Sequence, residues 1–335
     1  MTRFYNAFTL FLSLLVEALP FLLLGVFLSS LLLCFTNEKA LLRILPKNPL
    51  GGALAGSLVG FLFPACECGN VPVTRRLILQ GAPPAVAMGF LLAAPVINPI
   101  VIWSTWVAFR DQPEIVVLRV LFTMIIATLV GWVFSAQKDL RPILQRRTAD
   151  LLELTCPRPT NDQPALLQRG TFFLGQGSQP AASIALESAI VSELAVPAGL
   201  WPKLSLALDN TLQELRDLGG VLILGSAVAA LIQTFAPREL ILSLGQGPVT
   251  SVIAMLVLGT VVSICSTVDA FFALAFASVF TSGALLAFLV LGPMVDLKGI
   301  GMLLTVFRPR AVIYLFGLTT VMTFLLCLAV NFYLN

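Results

Sequence analysis

The sequence predicts an all-α integral membrane protein made of two inverted repeats, each with about three spans plus a re-entrant or broken-helix hairpin, about eight transmembrane segments in all. Three observations predict it. Of 335 residues, 58% are apolar and only 11% charged, with a mean hydropathy of +0.96, where a soluble domain carries roughly a quarter charged residues. Apolar runs recur along the chain at 8–35, 50–63, 84–109, 115–136, 219–235, 248–264, 284–307 and 311–333. The residues that interrupt those runs recur as well, at a spacing of 198 to 200 positions.

Spanning a bilayer takes about 20 residues, and the runs 50–63 and 248–264 fall short of that. The first run follows Arg3 and contains Glu17 and Pro20, with no small-residue cleavage site before a soluble domain, which reads as a retained span. The 14 residues of 50–63 give about 21 Å of helix against about 30 Å of hydrocarbon. Gly69 and Pro72 are expected to break it near mid-membrane, with 73–80 returning to the same face as a re-entrant hairpin. The run 84–109 crosses but is interrupted by Pro95 and Pro99, which sets Asn98 near the midplane, and 115–136 completes the half.

Residues 137–200 contain Pro142, Cys156-Pro-Arg-Pro159 and Pro164 with mixed charge, and are expected to form a mostly irregular cytoplasmic linker. From Lys203 to Leu218, Leu204, Leu206, Leu208, Leu212, Leu215 and Leu218 alternate with Asp209, Glu214, Arg216 and Asp217, the pattern of an amphipathic helix in the membrane plane. The expected regions are membrane repeat 1 at 1–136, the linker at 137–202, and membrane repeat 2 at 203–335, led by that helix.

The repeat is carried by particular residues. Leu24-Gly25 precedes Leu224-Gly225 by 200 positions, as Glu17 does Asp217. Cys66 matches Cys265 and Asn70 matches Asp269 at 199, while Pro95-Val-Ile-Asn98 matches Pro293-Met-Val-Asp296 at 198. Basic residues set the orientation. Lys39, Arg43 and Lys47 follow the first span, Lys138, Arg141, Arg146 and Arg147 follow 115–136, and Arg308 and Arg310 precede the last span. Both termini then lie outside and the linker inside, so each half crosses an odd number of times and the repeats are inverted. Four crossings per half, a parallel repeat, is the competing count.

Composition also excludes chemistry. The chain has no histidine, which removes Ser-His-Asp triads, zincin motifs and imidazole metal cages, and it has no Walker A loop. No cofactor is expected. A scattered net charge of +3 gives no footprint for nucleic acid. Six cysteines in a chain this long are not a disulfide framework, and Cys34, Cys156 and Cys327 stand alone.

The polar residues left in apolar surroundings are the candidate site, because such groups are costly in hydrocarbon unless they serve something. Cys66 and Cys68 flank Glu67 at the first hairpin tip, so soft thiolates and a carboxylate could hold a thiophilic metal ion, or Glu67 could carry a proton; small packing residues are the plainer reading. Asn70, Asn98, Cys265, Asp269 and Asp296 join them as candidate solute-binding residues, the two aspartates being expected to face a cavity or each other. A misplaced span would instead put Asp296 and the adjacent Lys298 in an interfacial loop. Glu17 and Asp217 are candidates for coupling or for simple interhelical bonding. Arg75 and Arg76, matched by Leu274 and Ala275 in the second half, serve either as inside anchors or to attract an anionic solute.

The residues Glu17-Ala-Leu-Pro20, Cys66-Glu-Cys68-Gly-Asn-Val-Pro72, Leu92-Ala-Ala-Pro95-Val-Ile-Asn98-Pro99 and Leu289-Val-Leu-Gly-Pro293-Met-Val-Asp296 resemble the predicted permeases related to the bacterial organoarsenical exporters. The resemblance covers both membrane halves and not the linker. It implies a multi-pass inner-membrane permease with thiols at a soft-ligand site. Glu67 between the cysteines and Asn70 after the glycine depart from the exporters and resemble more closely the branch that accompanies a second, smaller membrane subunit.

The expected function is a secondary transporter of a small solute, a thiophilic metal ion, metalloid or anion, working by alternating access around broken helices in the plasma membrane. The expected partners are the lipid bilayer, the solute and a second membrane subunit, with homodimerisation left open. The rivals are a membrane thiol oxidoreductase using Cys66 and Cys68, and a non-catalytic subunit of a larger membrane complex.

Overall fold

The computed structural model describes residues 2–35, 46, 48–63, 66–136, 143–145, 148, 200–235 and 247–333. The chain is an all-α membrane protein. Its first half contains α1 (Thr2–Phe35), α2 (Pro49–Leu62), α3 (Glu67–Leu79), α4 (Pro84–Ala93), α5 (Pro99–Ala108) and α6 (Pro113–Ser135). Its second half contains α7 (Leu200–Phe235), α8 (Pro248–Val262), α9 (Asp269–Leu274), α10 (Ser282–Met294), α11 (Leu297–Val306) and α12 (Pro309–Tyr333). Six of these helices begin on a proline, whose missing N–H costs nothing in a first turn and whose fixed φ suits it. Five segments are long and apolar enough to cross a membrane: Tyr5–Ser30, Pro113–Ser135, Ala207–Ile232, Pro309–Tyr333, and Ser282–Val306, which joins α10 to α11 through a bend.

Each helix of the first half has its counterpart six places later. α1 packs on α7, α4 touches α10 and α6 touches α12, so that counterparts meet each other; α3 packs on α11 while α5 packs on α9. That reciprocity is the pattern of a two-fold axis. Its direction follows from the register of the counterparts. Thr211 donates to Ser30 Oγ at 3.1 Å near one end of the α1–α7 pair, and Leu14 packs with Ala229 and Ala230 near the other, so the two helices run antiparallel. At the second such pair, Pro113 and Ile115 at the start of α6 share a small cavity with Val330 at the end of α12. Counterparts that run in opposite directions make the repeats inverted.

The short helices form the expected re-entrant hairpins. Ser57 donates to Gly89 C=O at 3.4 Å, Gly52 lies against Ala85 and Val86, and Gly60 against Ala94, so α2 and α4 run parallel, side by side. Two consecutive parallel helices require α3 to bring the chain back to the face where α2 began. In the second half Ser251 pairs with Thr281 at 3.3 Å and Gly259 abuts Phe288 and Gly292, which makes α8 and α10 parallel in the same way. The break at the first tip falls at Phe63–Cys66, ahead of the expected Gly69 and Pro72, which lie within α3. Pro72 fits early in the helix, although it has no N–H to return to the Cys68 carbonyl.

Every residue from Ala85 to Ala93 and from Gly283 to Met294 is buried, so α4 and α10 form the centre. Leu23, Leu24, Val117, Leu224 and Ile313 are exposed on the outer helices, as lipid-facing side chains should be. The start of α12 is tied to residues 143–145, just beyond α6: Arg308 N–H donates to Ile143 C=O at 2.7 Å, and Leu144 pairs with Phe307. The described ends of the linker therefore share one face, and both termini share the other. The residues 203–218 are a correction. No separate in-plane helix forms, because nothing breaks the chain before Phe235 and the amphipathic segment is the first part of α7. Most of the linker, with Cys156 and the basic residues used for orientation before Arg308, lies outside the described residues or side chains.

Candidate functional site between the hairpin tips

The two hairpins place equivalent residues face to face. At the first tip the Cys66 carbonyl accepts from Gly69 and Asn70 N–H, both at 3.1 Å; at the second the Cys265 carbonyl accepts from Val268 and Asp269 N–H at 3.0 and 3.1 Å. The same turn thus starts α3 and α9. Ser263 ends α8 in the left-handed region, φ 49°, and its hydroxyl accepts from Leu297 N–H at 3.0 Å, which ties the second tip to the start of α11. Gly25 makes room for the first tip: a Cβ there would meet Gly69 Cα and lie 2.8 Å from its carbonyl carbon, so α1 and α3 cross nearly backbone to backbone.

Cys66 and Cys265 meet as a result. One ligand atom from each of Cys66, Glu67 and Cys265 lies within 4.8 Å of the other two, and all three residues are buried. Cys68 is also buried, but its sulfur is not one of that close set. The thiol partner of Cys66 and Glu67 across the tip is therefore Cys265 of the other repeat. Thr267 donates to the Cys265 sulfur at 3.7 Å.

Two buried ion pairs flank the tips, and each joins one repeat to the other. Arg119 of α6, 1% exposed, donates to both carboxylate oxygens of Asp269 at 3.2 and 2.5 Å and to Thr105 Oγ1 at 2.7 Å. Lys298 of α11, also 1% exposed, places Nζ 3.8 Å from Glu67 Oε1. Asp296, Cys68, Cys265 and Glu17 of α1 lie within electrostatic range of its ammonium. The aspartates thus find other partners than each other. Asp269 is held by Arg119. Asp296 caps α11 by accepting from Gly299 N–H at 2.7 Å, as its counterpart Asn98 caps α5 by accepting from Val101 N–H at 2.9 Å.

Asn70 donates to Leu91 C=O, anchoring α3 to α4. Several acceptors at or near the tips carry no hydrogen bond: Glu67 Oε2, Asn70 Oδ1, Asp296 Oδ2, Ser266 Oγ and, on α1, Glu17 Oε1. A buried polar atom without a partner is costly, which makes these atoms candidates for contact with a solute. Arg75 and Arg76 lie half-buried on α3, about 14 Å along the helix from Cys66 and away from the tip. The Asp217 side chain lies outside what is described.

Sequence reasoning missed two residues. Arg119 was hidden in a run counted only as a span, although a lone arginine among 23 helical residues was itself a signal. Lys298 was considered only as part of an interfacial loop, whereas it is buried and reaches across to Glu67.

Known proteins resemble this chain along nearly its whole length. A family model described as "Predicted permease" (ArsP_1) matches residues 3–332. The chain is 36% identical over 314 residues to "UPF0718 protein YcgR" of Bacillus subtilis, covering 94% of this chain and 93% of that one. It is 31% identical over 330 residues to a Streptococcus mutans protein named "Putative two-component membrane permease complex subunit", covering 96% and 94%. No solved structure matches. With inverted repeats meeting at broken helices and a family match along nearly its whole length, the chain belongs to the ArsP_1 predicted permeases, a family of multi-pass membrane proteins.

Proposed function

We propose that this permease is a secondary transporter of the plasma membrane, with the linker cytoplasmic, that carries a small thiophilic solute by alternating access of the two repeats about the hairpin tips. One observation carries the reading: Cys66 and Glu67 of one repeat and Cys265 of the other bring two sulfurs and a carboxylate within 4.8 Å of one another where the two repeats meet. Sulfur with one oxygen selects soft ions or metalloids over magnesium or calcium. Half-helices that start in mid-membrane supply the polar backbone such a site needs. The solute is cargo, and Cys66, Glu67, Cys265 and the adjacent Cys68 are its proposed ligands. Asn70, Asn98 and Asp296 fix the starts of the half-helices around them, Asn70 by bonding to Leu91 C=O and the other two as caps.

The name of the Streptococcus mutans relative supports a second membrane subunit as partner. A thiol oxidoreductase also has an observation in its favour, since Cys66 and Cys265 are near neighbours. Labelling of reduced thiols in living cells separates the two, because an oxidoreductase cycles through a Cys66–Cys265 disulfide and a carrier keeps both thiols free.

Transport is tested in vesicles holding the purified protein, with Cd2+ as the soft probe. Uptake should be lost in Cys66→Ser and in Cys265→Ser, since serine keeps the volume and loses the soft donor. It should persist in Cys327→Ala, whose thiol is buried in α12 outside the tips. Wild-type uptake by the Cys66→Ser, Cys265→Ser double variant would overturn the proposal.

A further inference from the structure

The two cross-repeat ion pairs differ in a way that assigns them different work. Arg119 grips Asp269 with two hydrogen bonds and Thr105 with a third, a bidentate lock. Lys298 only approaches Glu67, at 3.8 Å, beyond hydrogen-bond length, and the second Glu67 oxygen has no partner. The position is also a poor one for a lysine. Lys298 is the second residue of α11, where the helix dipole repels positive charge, and it is almost wholly buried. Within α11, Leu297–Val306, no side chain carries a negative charge to favour a cation there, and only the cap residue Asp296 does. What lies near it favours one: Glu67 Oε1 is 3.8 Å away, Asp296, Cys68 and Cys265 are within electrostatic range, and Glu67 Oε2 and Asp296 Oδ2 have no hydrogen-bond partner.

We infer that Lys298 is a tethered stand-in for the cargo: its ammonium holds the cation position of the empty carrier, and a soft metal cation entering between Cys66, Glu67 and Cys265 displaces it. This rests on the transporter reading above and narrows the cargo to a cation. It also gives Lys298 a part in the cycle. An empty carrier must return across the membrane, and a bare Glu67 in the low-dielectric interior would oppose that movement. With Lys298 on Glu67 the empty site is electrically complete; on loading, Cys66 and Cys265 release their two thiol protons to water on the loading side, so the two thiolates offset the charge of Cd2+ and the displaced ammonium still offsets Glu67. Cargo and the ion pair are alternatives, and each allows the repeats to rearrange.

The test uses the full-length protein in lipid nanodiscs for equilibrium Cd2+ binding, and in vesicles for Cd2+ flux. Lys298→Met removes the competitor, so Cd2+ should bind at least tenfold more tightly. Exchange of Cd2+ between loaded faces should persist, while net uptake into cadmium-free vesicles, which needs the empty return, should fall at least tenfold. If Lys298→Met does not fold, Lys298→Gln, which keeps a polar group beside Glu67 without its charge, takes its place with the same expected gain in Cd2+ binding and loss of net uptake. Binding that is unchanged or weakened by removing Lys298, or net uptake and exchange falling together, would overturn the inference while leaving a cysteine-dependent carrier in place. If wild-type protein shows no Cd2+ binding that Cys66→Ser or Cys265→Ser weakens, the transporter reading falls and the inference with it.

Discussion

Arg119 is the side chain on which the second hairpin depends. It is fully buried, and Asp269 would be left as a bare carboxylate without it. Removing one member of a buried pair costs about 3–5 kcal/mol, whereas replacing both by apolar groups is often nearly neutral. Arg119→Leu and Asp269→Leu should therefore each lower the thermal stability of the detergent-solubilised protein sharply, and the double variant should recover much of the loss. Additive losses in the double variant would show that the two residues do not act as a pair. This pair was half legible in the sequence. Asp269 stood out as a charge in an apolar stretch and as the counterpart of Asn70, but its cation lies 150 positions away, and no periodicity links two residues on different helices. Cys265 was found only through its match to Cys66; the sequence could not tell that the two thiols face each other, because that depends on which way both hairpins fold.

At the scale of elements, the short runs were readable because length decides: fourteen apolar residues cannot cross, so the chain must turn within the membrane. Where it turns was less readable. Gly69 and Pro72 are tolerated inside α3, because a glycine there permits the close crossing with α1 and a proline early in a helix forfeits little. The same crossing sets up a comparison between counterparts. A Cβ on Gly25 would collide with Gly69 backbone, whereas one on Gly225 would sit 3.4 Å from Lys298 Cα, an ordinary contact. Gly25→Ala should cost about 1–3 kcal/mol through overpacking and move the first tip, while Gly225→Ala should be mild. Thermal unfolding of the two variants, with Cd2+ binding as a second readout, checks this; equal effects would mean that the α1–α3 crossing is looser than described. The leading part of α7 was misread as a separate element because amphipathicity marks a helix face and not where a helix ends.

For the whole molecule, the inverted arrangement was legible because the interrupting residues keep their spacing and because each half must cross an odd number of times for its basic flanks to agree. The helix packing shows counterparts α1 and α7 running antiparallel, with both termini on one face and the ends of the linker on the other. Membrane-impermeant thiol labelling of single cysteines placed at residue 2, near residue 170 and after Asn335 should therefore label the first and last from outside and the linker from inside. A terminus labelled on the linker side would contradict the topology. The proposed cargo site is built by both repeats at once, and X-ray absorption at the cadmium edge of Cd2+-loaded protein reads its ligands. At least two sulfur ligands are expected in the wild type, one fewer in Cys66→Ser and one fewer in Cys265→Ser. A sulfur shell unchanged by Cys265→Ser, or a shell made only of oxygen and nitrogen, would contradict it.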